Sequence, residues 1–195
     1  MRTLRAFVPP AALLVMLAAA TSATPPPEPV ADEIRMPERF STAEFVQERR
    51  IAALDRPLVS SGSVTVSETG FVWQQQTPYQ VSLSFDGTTI VETSTVNHQE
   101  ITRAVRDPIT NNLTRTLFQM MTGSWQQMQG SFAIHALEAS DQDGWALELK
   151  PRDEAVRDAI ARIVLTGTRY LDTILVEEAG GNTTRIELSN QRLQE

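Results

Sequence analysis

The sequence contains no cysteine, only two histidines and a single lysine, Lys150. Without a thiol, the chain cannot have a cysteine nucleophile, a disulfide, a thiolate zinc site or an acylated cysteine. The charge balance is acidic, with 17 basic residues against 24 acidic ones and a formal net charge of −7. Because a surface that binds the phosphate backbone needs a cationic excess, we expect no nucleic-acid partner.

Motifs that mark enzyme active sites are also missing. There is no GxSxG nucleophile elbow, HExxH metal helix, phosphate-binding glycine loop or EF-hand loop. His98 lies in a polar stretch without a partner at a catalytic spacing, and His135 is interpreted as a solvent-facing or hydrogen-bonded strand residue. Adjacent acids such as Glu177 and Glu178 point to opposite faces of a strand and are interpreted as solvating groups. We therefore predict a non-enzymatic protein with no catalytic residue, metal site or cofactor.

The first 23 residues have the order of a secretory signal peptide. Arg2 and Arg5 precede an apolar run of about ten residues, and small residues end the segment at Ala23. The run is shorter than the roughly 20 residues of a membrane span. An uncleaved anchor or a buried helix is the alternative. Cleavage after Ala23 removes both arginines and leaves 15 basic against 24 acidic residues, a net charge of −9.

Residues 24–37 are predicted to form a proline-rich linker. Four prolines within residues 24–29 favour extended polyproline geometry without internal hydrogen bonds. A proline-rich ligand for another domain is the alternative. Residues 38–195 are then predicted to form one folded domain, because the chain length and the apolar fraction of 41% suit a single globular unit.

Most of this domain shows the pattern of short antiparallel strands. From Gly62 onward, apolar residues alternate in short stretches between turn residues, with Asp86-Gly87 as a strong hairpin signal. Sequential hairpins without long helices between them predict at least seven strands in an antiparallel sheet, open or rolled into a barrel. The alternating groups are Val64 and Val66; Phe71 and Trp73; Val81, Leu83 and Phe85; Phe132, Ile134 and Ala136; Trp145, Leu147 and Leu149; Ile163 and Leu165; Ile174 and Val176; Thr184, Ile186 and Leu188.

The start of the domain gives conflicting signals. Ser41 is followed three residues later by Glu44, and flanking phenylalanines can form a hydrophobic staple, which predicts a short helix that begins at Ser41. From Phe45 to Ile51, propensity favours a helix whereas alternation favours a strand. Periodicity alone does not decide between the two.

One amphipathic helix is predicted between about residues 112 and 122, ended by Gly123. Its apolar stripe, continued beyond the helix by Trp125, would cover one side of a curled sheet. The helix either closes the core, which composition favours, or forms a ligand-facing lid, a role that flexible methionine side chains suit. The stripe comprises Leu113, Leu117, Phe118, Met120 and Met121.

Several short motifs occur in a characteristic order over about residues 38–190. They are residues 40–47 (FSTAEFVQ), 57–62 (PLVSSG), 71–73 (FVW) with Pro78, Asp86-Gly87, 123–125 (GSW), 145–151 (WALELKP) and Gly180-Gly181. In this order they resemble the LolA family of periplasmic lipoprotein carriers, particularly its divergent members. The resemblance implies a mainly β fold with short helices, in which a strongly curved, unclosed antiparallel half-barrel is covered by a helical lid.

The resemblance also implies an apolar groove that receives acyl chains. Carried over by position, the groove lining comprises Phe71, Trp73, Val81, Leu83 and Phe85. The lid carries Leu113, Leu117, Phe118, Met120, Met121 and Trp125. The parity of the strand residues makes these coherent faces but does not identify the concave one.

The partners follow from the same resemblance. The cargo is an acylated lipoprotein or lipid, received in the periplasm from an inner-membrane exporter and passed to an outer-membrane acceptor by a monomeric carrier. Two alternatives stay open: a binding protein for a glycolipid, polyene or similar hydrophobic product of one export system, and a structural envelope protein that binds a partner segment.

Two features depart from the family pattern. Typical members have an arginine and a proline shortly before the tryptophan, and that arginine holds the lid closed. Here Ser67-Glu68-Thr69-Gly70 occupies this stretch. The typical C-terminal extension has no counterpart after the last predicted hairpin. We therefore expect the lid latch, and with it the cargo, to differ from those of typical members.

Overall fold

The computed structural model describes residues 37–96, 99–139 and 143–193. The predicted signal peptide, all but the last residue of the predicted linker, and His98 lie outside these residues. The described residues form eleven strands and three helices. The strands are β1 (Thr42–Arg50), β2 (Leu58–Val66), β3 (Phe71–Thr77), β4 (Val81–Phe85), β5 (Ile90–Val96), β6 (Gln99–Val105), β7 (Phe132–Leu137), β8 (Trp145–Pro151), β9 (Ile160–Gly167), β10 (Leu171–Glu178) and β11 (Thr183–Arg192). The helices are α1 (Pro108–Met121), α2 (Trp125–Met128) and α3 (Glu154–Arg157).

All of these strands belong to one antiparallel sheet with the order β6-β5-β4-β3-β2-β1-β11-β10-β9-β8-β7. The first and last strands pair at its centre. From β1 the chain proceeds strand by strand to one edge at β6, and from β7 at the other edge it returns strand by strand to β11. Within the described residues β6 and β7 are unpaired edges, and α1 and α2 lie between them in sequence. The predicted fold, mainly β with short helices and an unclosed antiparallel sheet, is confirmed, with more strands than the minimum of seven.

Three strand pairs are irregular in register, and one pair approaches closely at a glycine. Register shifts interrupt the ladders of β1 with β11, β2 with β3, and β9 with β10. Such bulges increase the local twist of a strand and curl the sheet. At Gly62 in β2, a Cβ atom would lie 1.8 Å from the carbonyl oxygen of Gln74, so only glycine permits this close approach of the two strands.

The predicted helix at Ser41 is wrong, because this segment forms β1. The backbone N–H of Ser41 donates to the carbonyl of Arg192 and its carbonyl accepts from the N–H of Val66, so neighbouring strands satisfy the backbone groups. The Glu44 carboxylate accepts a hydrogen bond from the Asn190 side chain at 2.8 Å instead of capping a helix. Pairing with strands on both sides therefore overrides the local capping signal.

Helix α1 begins before the predicted residue 112. The Asp107 carboxylate caps it, accepting hydrogen bonds from the backbone N–H of Thr110 at 2.7 Å and from the Thr110 hydroxyl at 2.6 Å. Proline is tolerated in the first turn, where its missing N–H leaves no gap. The predicted end is confirmed: Gly123 has a positive φ of 69°, and the next N–H, of Ser124, donates to the carbonyl of Gln119 at 2.8 Å.

One face of the sheet carries the core, and we call it the inner face. Directly paired residues of antiparallel strands point to the same side, so rows of partners define this face. One row runs from Val66 through Phe71 and Phe85 to Ile90, and all four side chains are buried. Buried residues of α1 and α2 belong to the same apolar cluster. The helices therefore cover the inner face.

Candidate functional site

All five predicted groove residues lie on the inner face. Phe71 pairs with Phe85, and Trp73 pairs with Leu83 in the adjoining row. Phe71 and Phe85 are only 3% and 4% exposed, whereas Trp73, Val81 and Leu83 are half-buried. The inner face of β3 and β4 is thus closed to solvent at Phe71 and Phe85, and it is still accessible to solvent at Trp73, Val81 and Leu83.

The closed end is covered by the last turns of α1. The ring of Phe118 lies 6.4 Å from that of Phe71 and 5.6 Å from that of Phe85, measured between centroids. The Cζ atom of Arg115 lies 6.0 Å from the centroid of the Phe85 ring, within reach of a cation–π contact. Helix α1 is thereby held on the strands by aromatic contacts and one arginine of its own.

The inward side of α1 is unevenly buried. Met120 and Met121 are 3% and 1% exposed and belong to the main apolar cluster. Leu113 and Leu117, one turn apart and central on the same side of the helix, are only half-buried. Solvent therefore reaches the middle of the covering helix, on the side that carries the predicted lid residues.

Trp125, predicted for the lid, is buried in α2 against the sheet. Its ring meets that of Trp145 edge-on, with centroids 6.0 Å apart. Neither indole N–H has a hydrogen-bond partner among the described residues. Trp145 in turn lies against Gly167, where a Cβ atom would be 2.7 Å from its ring. Trp125 packs as part of the core in this structure.

Sequence patterns missed two parts of this region. Phe45 of β1 stacks on Trp73 with centroids 3.9 Å apart, but the conflicting signals around Ser41 concealed its strand position. On the edge strand β6 and its neighbour β5, Arg103 and Glu92 form an ion pair at 2.9 Å. The two residues lie in the same row of paired residues as Leu83. This edge of the inner face is therefore polar. The sequences of β5 and β6 contain no motif that predicts this ion pair.

A cavity of about 510 Å³ opens beside the C-terminal end of α1. Its lining combines apolar Val66 and Phe118 with the hydroxyls of Thr122 and Ser124. Two charged residues, Arg39 and Glu68, also line it. Its volume falls in the range of small-molecule sites in proteins, roughly 300–1,000 Å³. Because Phe118 belongs to both, the cavity adjoins the aromatic cluster that closes the inner face.

A second group of charges lies on the opposite, outer face. The Arg162 guanidinium donates two hydrogen bonds of 2.8 Å to Glu177 and one of 3.2 Å to Glu148, which also meets Lys150 at 3.0 Å. Hydrogen bonds from Lys150 and Arg162 lower the pKa of Glu148, although burial opposes them. The hydrogen bonds from Arg162 lower the pKa of Glu177 as well. Glu177 is thus an ion-pair partner and not merely a solvating group.

Two further observations concern chemistry and membranes. His135 is exposed on β7, as interpreted from the sequence. Among residues 37–96, 99–139 and 143–193, no three acids or histidines are grouped so as to hold a metal ion. No helix within those ranges has both the length and the apolar character needed to cross a membrane.

Comparisons with known proteins place these features in context. No curated protein sequence matches the chain significantly. The model of the family described as outer membrane lipoprotein carrier protein LolA matches residues 39–195. Among solved structures, a LolA superfamily protein from Nitrosomonas europaea is similar at 15% identity and a TM-score of 0.46, covering 85% of this chain and 90% of that one. The lipoprotein LppX of Mycobacterium tuberculosis is similar at 11% identity and a TM-score of 0.41, covering 80% and 88%.

Proposed function

The chain belongs to the LolA family, and from this we propose that it is a non-enzymatic carrier of acyl chains in the periplasm. In this proposal it takes lipoproteins or related lipids from an inner-membrane exporter and releases them toward an outer-membrane acceptor. Besides family membership, one observation carries the proposal. Apolar side chains of β3, β4 and α1 that pack against the same core cluster, among them Trp73, Leu83 and Leu117, are only half-buried.

The free energy of exposing acyl chains to water explains why such a carrier is needed. Each methylene contributes about 0.8 kcal/mol, so a chain of about 14 methylenes left in water costs on the order of 11 kcal/mol. A covered apolar surface removes most of this cost. The half-buried residues Trp73, Val81 and Leu83 offer such a surface, and displacement of α1 would extend it to Phe71 and Phe85.

Release requires that binding be reversible. The proposed groove and lid residues are all apolar, so they would hold an acyl chain through packing contacts alone. Helix α1 makes its aromatic contact to the strands chiefly through Phe118, and Arg115 adds an exposed contact that is weak by nature. We propose that these contacts replace the family arginine as the latch of the lid.

A binding titration with a fluorescent fatty-acid analogue tests this function. We expect saturable binding by the folded protein. Leu83→Glu should weaken binding at least about tenfold, since it places a charge on the proposed apolar surface. Ser82→Glu is the matched control, because Ser82 is the neighbouring residue on the outer face of the same strand and its change should leave affinity unaltered.

Two results would contradict the proposal. If well-folded protein shows no saturable binding, the structural alternative is favoured. If Leu83→Glu and Ser82→Glu weaken binding equally, the inner face is not the binding site. The cargo itself is identified by native mass spectrometry of the protein purified from its own periplasm. A co-purified acylated lipoprotein supports the carrier role, whereas a glycolipid or polyene supports the dedicated binding protein.

A further inference from the structure

The cavity beside the end of α1 differs in character from the apolar surface that it adjoins. Phe118 forms part of its wall and also contacts Phe71 and Phe85 on the inner face. This one ring therefore borders both spaces. An amphiphile with its acyl chain on the inner face could then place its polar end in the cavity.

The charges in the cavity are opposite and unpaired. Neither Arg39 nor Glu68 forms an ion pair or a side-chain hydrogen bond within the part of the chain that the structure describes. By contrast, Glu38, the residue before Arg39, pairs with Arg169 at 3.0 Å. As far as residues 37–96, 99–139 and 143–193 are concerned, the cavity therefore presents one guanidinium and one carboxylate that no other side chain engages.

The rest of the lining adds a negative helix end and hydroxyl oxygens to these two charges. The C-terminal end of α1, marked by Thr122 and Ser124 in the wall, carries the partial negative charge of a helix dipole. Guanidinium groups bind phosphate oxygens through charge-assisted hydrogen bonds. The Thr122 and Ser124 hydroxyls hydrogen-bond each other at 3.1 Å, and the Thr122 hydroxyl donates to the carbonyl of Phe118 at 2.9 Å. Their protons are therefore engaged, and what they offer a ligand is acceptor oxygens, which suit an ammonium.

We propose that this cavity binds a zwitterionic head group, a phosphate diester linked to an ammonium, of an amphiphile whose acyl chain lies on the inner face. The assignment rests on the proposed acyl-binding function and makes it more specific. Arg39 takes the phosphate and Glu68 takes the ammonium. A free fatty acid would use the guanidinium alone, and an uncharged glycolipid would leave both charges unpaired.

Three single-chain lipids with the same acyl chain, used below their micelle-forming concentrations, test the assignment. They are lysophosphatidylethanolamine, which is zwitterionic, lysophosphatidylglycerol, which is anionic, and monoacylglycerol, which is neutral. We expect the zwitterionic lipid to bind roughly fivefold or more tightly than either of the others. Calorimetric titration of the full mature chain measures all three affinities.

Charge-neutralising variants assign the two roles. Arg39→Gln should weaken both phosphate-bearing lipids about fivefold and leave monoacylglycerol unchanged. Glu68→Gln should weaken only lysophosphatidylethanolamine. Arg56→Gln and Glu100→Gln are matched controls, because both residues are exposed, lie outside the cavity lining and should not alter any affinity. All of these positions are at the surface, so thermal unfolding should show intact folds.

The possible failures are distinguishable. If all three lipids bind with equal affinity and the variants have no effect, the head-group assignment is overturned while acyl binding stands. If the anionic lipid binds best and Glu68→Gln has no effect, the cavity is a simple anion site and the proposal is wrong. If none of the lipids binds to folded protein, the proposed carrier function itself fails.

Discussion

Gly167 lies in β9, where neighbouring segments approach it from both sides. A Cβ atom at this position would be 2.0 Å from the carbonyl oxygen of Tyr170 and 2.7 Å from the ring of Trp145. Both distances are far below van der Waals contact, and one of the atoms is rigid backbone. This glycine therefore allows the β9–β10 connection and the indole of Trp145 to pack together.

We expect Gly167→Ala to lower the free energy of unfolding by about 3 kcal/mol, the cost typical of forcing extra volume into a packed interior. Gly180→Ala is the matched control, because nothing lies within 4 Å of a Cβ atom there and its φ is not positive. Its effect should stay within about 1 kcal/mol. Denaturant unfolding measures both values, and similar effects of the two changes would contradict this account.

At the scale of residues, the sequence predicts on which face of the sheet a side chain lies, but not which other side chains it contacts. The period of two along a strand places Phe71, Trp73 and Leu83 on one face, and they do share the inner face. The stacking of Phe45 on Trp73 joins strands that are not adjacent, so no local pattern contains it. Burial likewise depends on what covers the face, which is why Phe71 and Trp73 differ despite equal parity.

At the scale of elements, local capping signals predicted the end of α1 correctly but predicted a helix wrongly at the start of β1. The end of α1 is predictable because a glycine with positive φ after the last turn acts locally. Its start had local signals too, since Asp107 before a proline is a favourable cap and Ile109 continues the four-residue spacing of Leu113 and Leu117, but the predicted start near residue 112 did not use them. In β1 the capping signal at Ser41 was outweighed by strands on either side, which local reasoning cannot supply.

The uneven burial of α1 leads to a prediction about the lid. Met120→Ala with Met121→Ala should destabilise the ligand-free protein by several kcal/mol, because truncating a buried methionine costs about 2–5 kcal/mol. Leu117→Ala should cost less, because this side chain is only half-buried. If α1 is the lid over bound acyl chains, Leu117→Ala should nonetheless weaken binding of a fatty-acid analogue about tenfold or more.

Paired measurements on the same preparations decide this point. Denaturant unfolding without ligand gives the stability change, and a titration of the folded protein gives the affinity. Gln119→Ala serves as a control on the same helix, since the one hydrogen bond that its half-buried side chain makes with described residues is a long one, 3.4 Å to Gln127. An unchanged affinity in the Leu117 variant would mean that α1 simply closes the core.

At the scale of the whole molecule, ion pairs on the outer face connect three strands. Arg162 of β9 joins Glu148 of β8 to Glu177 of β10. Both carboxylates have a lowered pKa in the folded protein, below an ordinary value near 4.5. Their contribution to stability is therefore present above about pH 4.5 and is lost as pH falls through the lowered values.

We expect the melting temperature to fall as the pH decreases from about 5 to 3, and to fall less steeply in Glu148→Gln. The variant should be less stable than the parent protein at neutral pH, because Arg162 and Lys150 lose a charged partner. Thermal unfolding followed by circular dichroism across this range provides the measurement. Parallel curves for the two proteins would show that Glu148 does not contribute to the acid sensitivity.

The pairing of β1 with β11 has a consequence for how the chain folds. Phe45 and Leu188 meet across the centre of the sheet although 142 residues separate them in sequence. The flanking meanders, β2 to β6 and β7 to β10, consist of hairpins between consecutive strands and close only short loops. Joining them requires closure of almost the entire domain, which carries the largest loss of chain entropy. Each half can thus form its hairpins early, but the two become one sheet only when β11 docks on β1.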